Sequence, residues 1–143
     1  MEVREAQRLA EELMSEFGLS GWTFCWDRSV RRFGQCRYRA RQVGLSKPLT
    51  ELNDRAAVED VIRHEIAHAL AGHDAGHGSA WVRQCRVTGA RPDRCYDGDA
   101  VAAPPAPWLV ECRPCGLSIP RHRRTKKAQR HISCGQVVTW SRA

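Results

Sequence analysis

The chain has 143 residues, with 23 Lys or Arg against 16 Asp or Glu, and seven cysteines. This length suits one compact domain with a small appendage, and it excludes a mini-protein that needs disulfides to stay folded. No stretch approaches the roughly eighteen consecutive apolar residues of a membrane span, and the first residues lack the apolar core of a signal peptide. We therefore expect a cytoplasmic protein without a membrane partner.

The net charge of +7 is concentrated near the C-terminus. Residues 112–143 contain eight Arg or Lys and no acidic residue, whereas residues 1–111 carry fifteen basic and sixteen acidic side chains. Such asymmetry predicts a polyanionic partner for the C-terminal segment, with nucleic acid as the first candidate. The alternative is a basic segment that serves solubility alone.

The first predicted element is an amphipathic helix, because apolar residues recur at helical spacing from Val3 to Phe17 and Gly18 follows as a stop. Residues 22–46 then contain three short extended pieces, WTFCWD, GQCRYRA and QVGLS, rich in aromatic and β-branched residues. They predict a small antiparallel sheet.

The segment NDRAAVEDVIRHEIAHALAG predicts the most regular helix of the chain. Asn53 or Asp54 can cap its N-terminus, and Gly72 ends it. A shorter helix is expected between Ser79 and Gly89. Helices combined with a small sheet indicate an α+β fold.

The segment DGDAVAAPPAPW combines glycine and prolines without apolar periodicity, which is typical of a linker. We therefore place a first domain at residues 1–98, a linker at 99–108 and a second module at 109–143. Only 35 residues follow position 108, too few for an apolar core of their own. A structural metal is expected to hold this module together.

Four of the six histidines lie in RHEIAHALAGHDAGHG, residues 63–78. His64 and His68 stand one helical turn apart, so they project from one face as two nitrogen ligands of one metal must. Zn²⁺ takes imidazole readily, and its catalytic sites use three protein ligands and leave a fourth position open. Glu65 lies between the two histidines and is the candidate general base, which takes a proton from water and passes it to the leaving amine.

The third ligand has three candidates. Asp74 stands where the metzincin pattern places its third ligand, but that pattern needs glycine at position 71, where this chain has alanine. His73 directly follows Gly72 at the helix end, so little chain is available for it to turn back toward His64 and His68. His77 is favoured because the glycines on both sides of it allow the backbone to bend freely.

The segments HEIAHAL, GHGSAW and TGARPDRC resemble the SprT-like metalloprotease domain, which is shared with the Spartan-type DNA-dependent proteases. The resemblance covers roughly residues 1–98 and implies a small zincin fold. In that family the third ligand is the histidine of a His-Gly pair ahead of an aromatic residue, which maps to His77. The resemblance also implies cleavage of proteins crosslinked to DNA.

Two short pairs of metal-binding residues lie in the C-terminal module. Cys112 and Cys115 are followed after fifteen residues by His131 and Cys134, which matches the two knuckles of a zinc ribbon. Four ligands close the site, so this zinc is expected to be structural, and the chain is expected to hold two Zn²⁺ ions, one catalytic and one structural. SprT-like proteins often carry such a ribbon with four cysteines, and His131 is a departure. The other cysteines are interpreted as buried small apolar residues: Cys25, Cys36, Cys85 and Cys95.

Six cations lie between the knuckles and predict salt-sensitive binding to DNA phosphates without sequence preference. They are Arg121, Arg123, Arg124, Lys126, Lys127 and Arg130. Trp108 and Trp140 flank the module and are interpreted as packing residues.

Together these features predict a monomeric zinc metallopeptidase that cleaves proteins on DNA, associated with the nucleoid if the source is bacterial. Two alternatives stay open. One is a non-catalytic DNA-binding or regulatory zinc protein, and the other is a protease of a free regulatory protein whose activity is indifferent to DNA.

Overall fold

The computed structural model describes residues 1–93 and 101–143, which divide into two compact units, Met1–Pro104 and Pro105–Ala143. Cys95 and the first residues of the predicted linker lie outside the described residues. Among the described helices, none combines the length and the apolar character needed to cross a bilayer.

The first unit contains helices and a small sheet, which confirms the predicted α+β class. Its helices are α1 Val3–Glu16, α2 Lys47–Leu52, α3 Arg55–Ala71 and α4 Ser79–Thr88, and its strands are β1 Thr23–Asp27, β2 Gly34–Arg37 and β3 Gln42–Ser46.

The sheet is mixed, with β3 between β1 and β2. β2 runs antiparallel to β3, as predicted, but β1 runs parallel to it. The difference follows from strand order, because β3 inserts between its two predecessors instead of adding to the edge. β3 is buried without interruption from Val43 to Ser46, which is typical of a central strand covered on both faces.

Helix α3 is the element on which the site is built, and its ends match the sequence signals. The Asp54 carboxylate accepts a hydrogen bond of 2.9 Å from the backbone N–H of Ala57, and Gly72 ends the helix at a φ of 87°. Val58, Ile62 and Ile66 are fully buried in the main core. α3 also packs against α1, β2, β3 and α4, so its side chains are held in place from several directions.

Among the described α-helices of the first unit, α2 alone was not predicted from the sequence. The Ser46 hydroxyl accepts a hydrogen bond of 3.2 Å from the N–H of Leu49, and Pro48 lies in the first turn. Both are ordinary signals of a helix start.

The second unit contains a three-stranded antiparallel sheet. Its strands are β4 Trp108–Cys112, β5 Leu117–Arg121 and β6 Thr139–Arg142, in the order β5-β4-β6. Only Val110, Cys112 and Val138 are buried apolar residues here, with Leu117 and Trp140 packed against them. So small a core supplies little apolar burial, which agrees with the expectation that a metal contributes to its folding.

The described cysteines of the first unit do not all behave as predicted. Cys85 is fully buried, but Cys25 and Cys36 are only half-buried. They lie on β1 and β2, which form the two edges of the sheet, where one side of a short strand has no neighbouring strand to cover it.

Candidate active site

Three histidines of the first unit converge on one point. His64 and His68 lie one turn apart on α3, and His77 lies just ahead of α4. One ring nitrogen from each falls within 4.8 Å of the others, and the Nε2 atoms of His68 and His77 are 3.2 Å apart. Three imidazole nitrogens at this spacing can bind one metal ion, and their chemistry suits zinc.

Trp81 of α4 forms the wall behind the three rings. Its ring centroid lies 4.9 Å from that of His64, 5.3 Å from that of His68 and 4.6 Å from that of His77. The indole is 1% exposed, so it is fixed by its own packing. The three imidazole rings are therefore packed against a fully buried side chain.

The environment of the cluster favours neutral imidazole. Burial lowers the pKa of His64 to about 4 and that of His68 to about 4, and the neighbouring histidines act in the same direction. Metal ions bind imidazole only when the coordinating nitrogen is unprotonated. At neutral pH both imidazoles are therefore unprotonated and able to coordinate a metal ion.

Glu65 lies beside the histidines and faces strand β2. It is 8% exposed, and burial raises the pKa of its carboxyl to about 8, against the opposing effects of a hydrogen bond from the Cys36 backbone and the charge of Arg32. A carboxyl with a pKa near neutrality is suited to accept and return a proton. A bound divalent cation beside it would favour the charged form, which is the form that accepts the proton.

The cluster opens into a cleft with a cavity volume of about 680 Å³. Tyr38 and His73 line this cleft together with the three histidines and Glu65, and the rings of Tyr38 and His73 contact edge to face at 5.2 Å. Burial raises the pKa of Tyr38 to about 12, so its hydroxyl keeps its proton at neutral pH.

Neither of the other two candidates for third ligand joins the histidine cluster in the described part of the chain. His73 and Asp74 lie in a short 3-10 turn, His73–Ala75, where both are exposed. The Nδ1 of His73 is 3.0 Å from Oδ1 of Asp74. The two side chains therefore contact each other and lie apart from the three grouped nitrogens.

Most of the chain is similar to a known protein family. The model of the SprT-like family matches residues 4–97. The chain belongs to the SprT-like family.

Relatives of this SprT-like chain carry the name Protein SprT, and three of them illustrate the similarity. That of Escherichia fergusonii is 27% identical over 108 residues, which cover 68% of this chain and 66% of the relative. That of Glaesserella parasuis is 27% identical over 111 residues, which cover 73% of this chain and 71% of the relative. That of an Enterobacter species is 29% identical over 107 residues, which cover 68% of this chain and 65% of the relative. The match thus spans slightly less than two thirds of two of these relatives. No solved structure matches the chain.

A second group of residues that could bind a metal ion lies in the C-terminal unit of the SprT-like chain. One ligand atom from each of Cys112, Cys115, His131 and Cys134 falls within 4.8 Å of the others. The Sγ of Cys134 is 3.5 Å from that of Cys112 and 3.3 Å from Nδ1 of His131. A hydrogen bond from the Gln136 backbone lowers the pKa of Cys134 to about 6, which favours the thiolate that binds metal.

Both knuckles of this group turn at a glycine that directly follows the second ligand. Gly116 has a φ of 64° and donates its N–H to the carbonyl of Arg113 at 3.2 Å, and Gly135 has a φ of 69° and donates to the carbonyl of His131 at 2.8 Å. These left-handed residues fold each knuckle back on itself. The repeated pattern Cys/His-x-x-Cys-Gly is a sequence signal of these turns, and the spacing of the cysteines and histidine alone does not include it.

The six cations proposed to contact DNA are all exposed, with Arg121 at the end of β5 and the others in the segment that follows. Arg142 of β6 was not among them. Its guanidinium lies 4.2 Å from the ring centroid of Trp108, and that of Arg124 lies 5.3 Å from the same centroid. Trp108 therefore packs against cations, whereas Trp140 packs in the small core as expected.

Proposed function

We propose that this SprT-like chain is a zinc-dependent endopeptidase that cleaves proteins held on DNA, including proteins crosslinked to it, and that the C-terminal ribbon binds the DNA. One observation carries the catalytic part of the proposal. Three imidazoles able to bind one ion share a cleft with the buried carboxylate of Glu65. A purely structural metal site has no use for an acid-base group beside it.

The residues of the chain divide the chemistry between them. Zinc, when bound by His64, His68 and His77, would supply Lewis acidity that polarises the scissile carbonyl and acidifies water. Glu65 accepts the proton of the attacking water and delivers it to the leaving amine. Trp81 keeps the three imidazoles in the orientation that binding requires.

The DNA part of the proposal rests on charge. Residues 112–143 contain no acidic side chain, and the six predicted cations are exposed. Arg124 and Arg142 are additionally held against Trp108, which limits the side-chain entropy lost when a guanidinium binds a phosphate. Such a surface supports binding to the sugar-phosphate backbone of any sequence.

The test is proteolysis of a DNA-binding protein, such as a histone, by the zinc-loaded chain with and without DNA. We expect cleavage that DNA stimulates, and we expect Glu65→Gln to keep its zinc while losing at least about 100-fold in rate, because it removes the proton acceptor. Activity of Glu65→Gln equal to wild type would refute the mechanism.

The same assay separates the alternatives. Cleavage that is indifferent to DNA indicates a protease of a free regulatory protein. DNA binding without any zinc-dependent cleavage indicates a non-catalytic DNA-binding protein.

A further inference from the structure

The carboxylate of Glu65 lies directly against the backbone of strand β2, at Gly34. A Cβ atom at Gly34 would lie 2.6 Å from Cγ and 2.6 Å from Oε1 of Glu65, and 2.7 Å from Cγ1 of Val61. Non-bonded carbon atoms pack at about 3.5–4.0 Å. Any residue larger than glycine at this position therefore forces its neighbours to move.

Backbone conformation does not explain this glycine. Gly34 is not among the described residues with positive φ, so an alanine there meets no conformational penalty. Gly72 and Gly76, near the same cleft, are the opposite case, because both have positive φ and open space where a side chain would lie. The missing side chain of Gly34 instead leaves space for the side chains of Glu65 and Val61.

The two elements that meet at Gly34 have little freedom to separate. Gly34 is buried and pairs with Leu45 of the central strand, which is fully buried itself. On the other side, Val61 and Ile62 hold α3 in the core. The side chain of Glu65 is the part that can shift most easily.

We infer that Gly34 is a positioning residue for Glu65. The space left by its missing side chain, together with a hydrogen bond from the Cys36 backbone, keeps the carboxylate beside the imidazoles of the cleft. The inference rests on the proposed function to the extent that Glu65 is the proton acceptor. The competing explanation is that Gly34 only allows β2 and α3 to pack, through its contact with Val61.

The experiment combines Gly34→Ala with Val61→Ala, which removes the clash with the valine and leaves the clash with the glutamate. We expect the double variant to melt below Val61→Ala, because the clash with the glutamate remains, and to keep the same zinc content. We expect its KM to be nearly unchanged and its kcat to be about 100-fold lower, the size of loss that a shift of about 1 Å can cause. Equal kcat for the double variant and Val61→Ala would overturn the inference.

Gly44→Ala is the matched control. Gly44 is also a buried strand glycine without positive φ, but its Cβ would meet Cys25, at 3.0 Å from Sγ. We expect this variant to lose stability without a selective loss of kcat. A selective loss of kcat equal to that of Gly34→Ala would show that any disturbance of the sheet suffices, and would overturn the inference.

A readout without catalysis keeps the two proposals separable. Gly34→Ala should lower the melting temperature of wild type more than that of Glu65→Ala, since the truncated side chain no longer meets the new Cβ. If wild type shows no zinc-dependent cleavage, the proposed function fails. The difference between the two losses of melting temperature then still tests whether Gly34 positions Glu65. Equal losses in both backgrounds would overturn the inference.

Discussion

The Nε2 atoms of His68 and His77 lie 3.2 Å apart, although one belongs to α3 and the other to the loop ahead of α4. The loop turns back toward the helix through Gly72 and Gly76, which adopt positive φ at 87° and 51°. Trp81, four residues beyond His77, then packs against all three rings. The three histidines are therefore brought together by the fold itself.

The first prediction concerns metal content. Wild type should bind two zinc ions per chain, and His64→Ala should bind one while the chain stays folded, because the ribbon ligands form a separate group. Zinc analysis of the native protein with circular dichroism measures both. His73→Ala is the control and should keep two ions, since His73 is exposed and contacts Asp74. Two ions in His64→Ala would contradict the assignment.

The second prediction concerns Trp81. Trp81→Leu should weaken zinc binding at the histidine site about 10- to 100-fold, as loss of groups that orient metal ligands typically does, and Trp81→Phe should weaken it less. Competition with a chromophoric chelator measures the affinity. Trp26→Leu is the control, because Trp26 packs against the main core and contacts none of the three histidines in the described structure. An unchanged zinc affinity in Trp81→Leu would show that packing of the indole against the three histidines does not contribute to zinc binding.

The third prediction concerns the ribbon cations. Replacing Arg123, Arg124 and Lys126 by glutamine should weaken DNA binding for all sequences alike and reduce the slope of log affinity against log salt by about 1 per cation. Fluorescence anisotropy at several salt concentrations measures this. The charge-matched control replaces the exposed Arg4, Arg83 and Arg86 of α1 and α4. An equal loss in the control would show that net charge alone, and not the ribbon, determines binding.

The fourth prediction concerns the knuckle glycines. Gly135→Ala places a Cβ at a φ of 69°, which costs about 1–2 kcal/mol, and should speed the loss of the ribbon zinc to a chelator. Ser133→Ala lies in the same knuckle without such strain and serves as the control. Stopped-flow chelation measures both rates. Equal rates in the two variants would show that the turn contributes nothing to retention of the metal.

Much of the local structure follows from short stretches of sequence. The Asp54 cap and Gly72 stop of α3 depend on neighbours within a few residues, and so does the adjacency of His64 and His68 at one helical turn. The same holds for the two knuckles, where a gap of two residues brings both ligands to one ion. Local spacing is therefore enough to predict the types of the candidate ligands and their division into two sites.

Tertiary structure decided what depends on distant parts of the chain. The parallel direction of β1 follows from the insertion of β3 between two earlier strands, and alternation of side chains carries no information on strand order. The grouping of His77 with His64 and His68 requires a loop to return, which the flanking glycines permit but do not enforce. Gly34 is the clearest case, since thirty-one positions separate it from Glu65 and no local pattern links an edge strand to a helix. Gly34 leaves space for the Glu65 carboxylate only when β2 packs against α3, because steric exclusion acts between atoms that folding brings together.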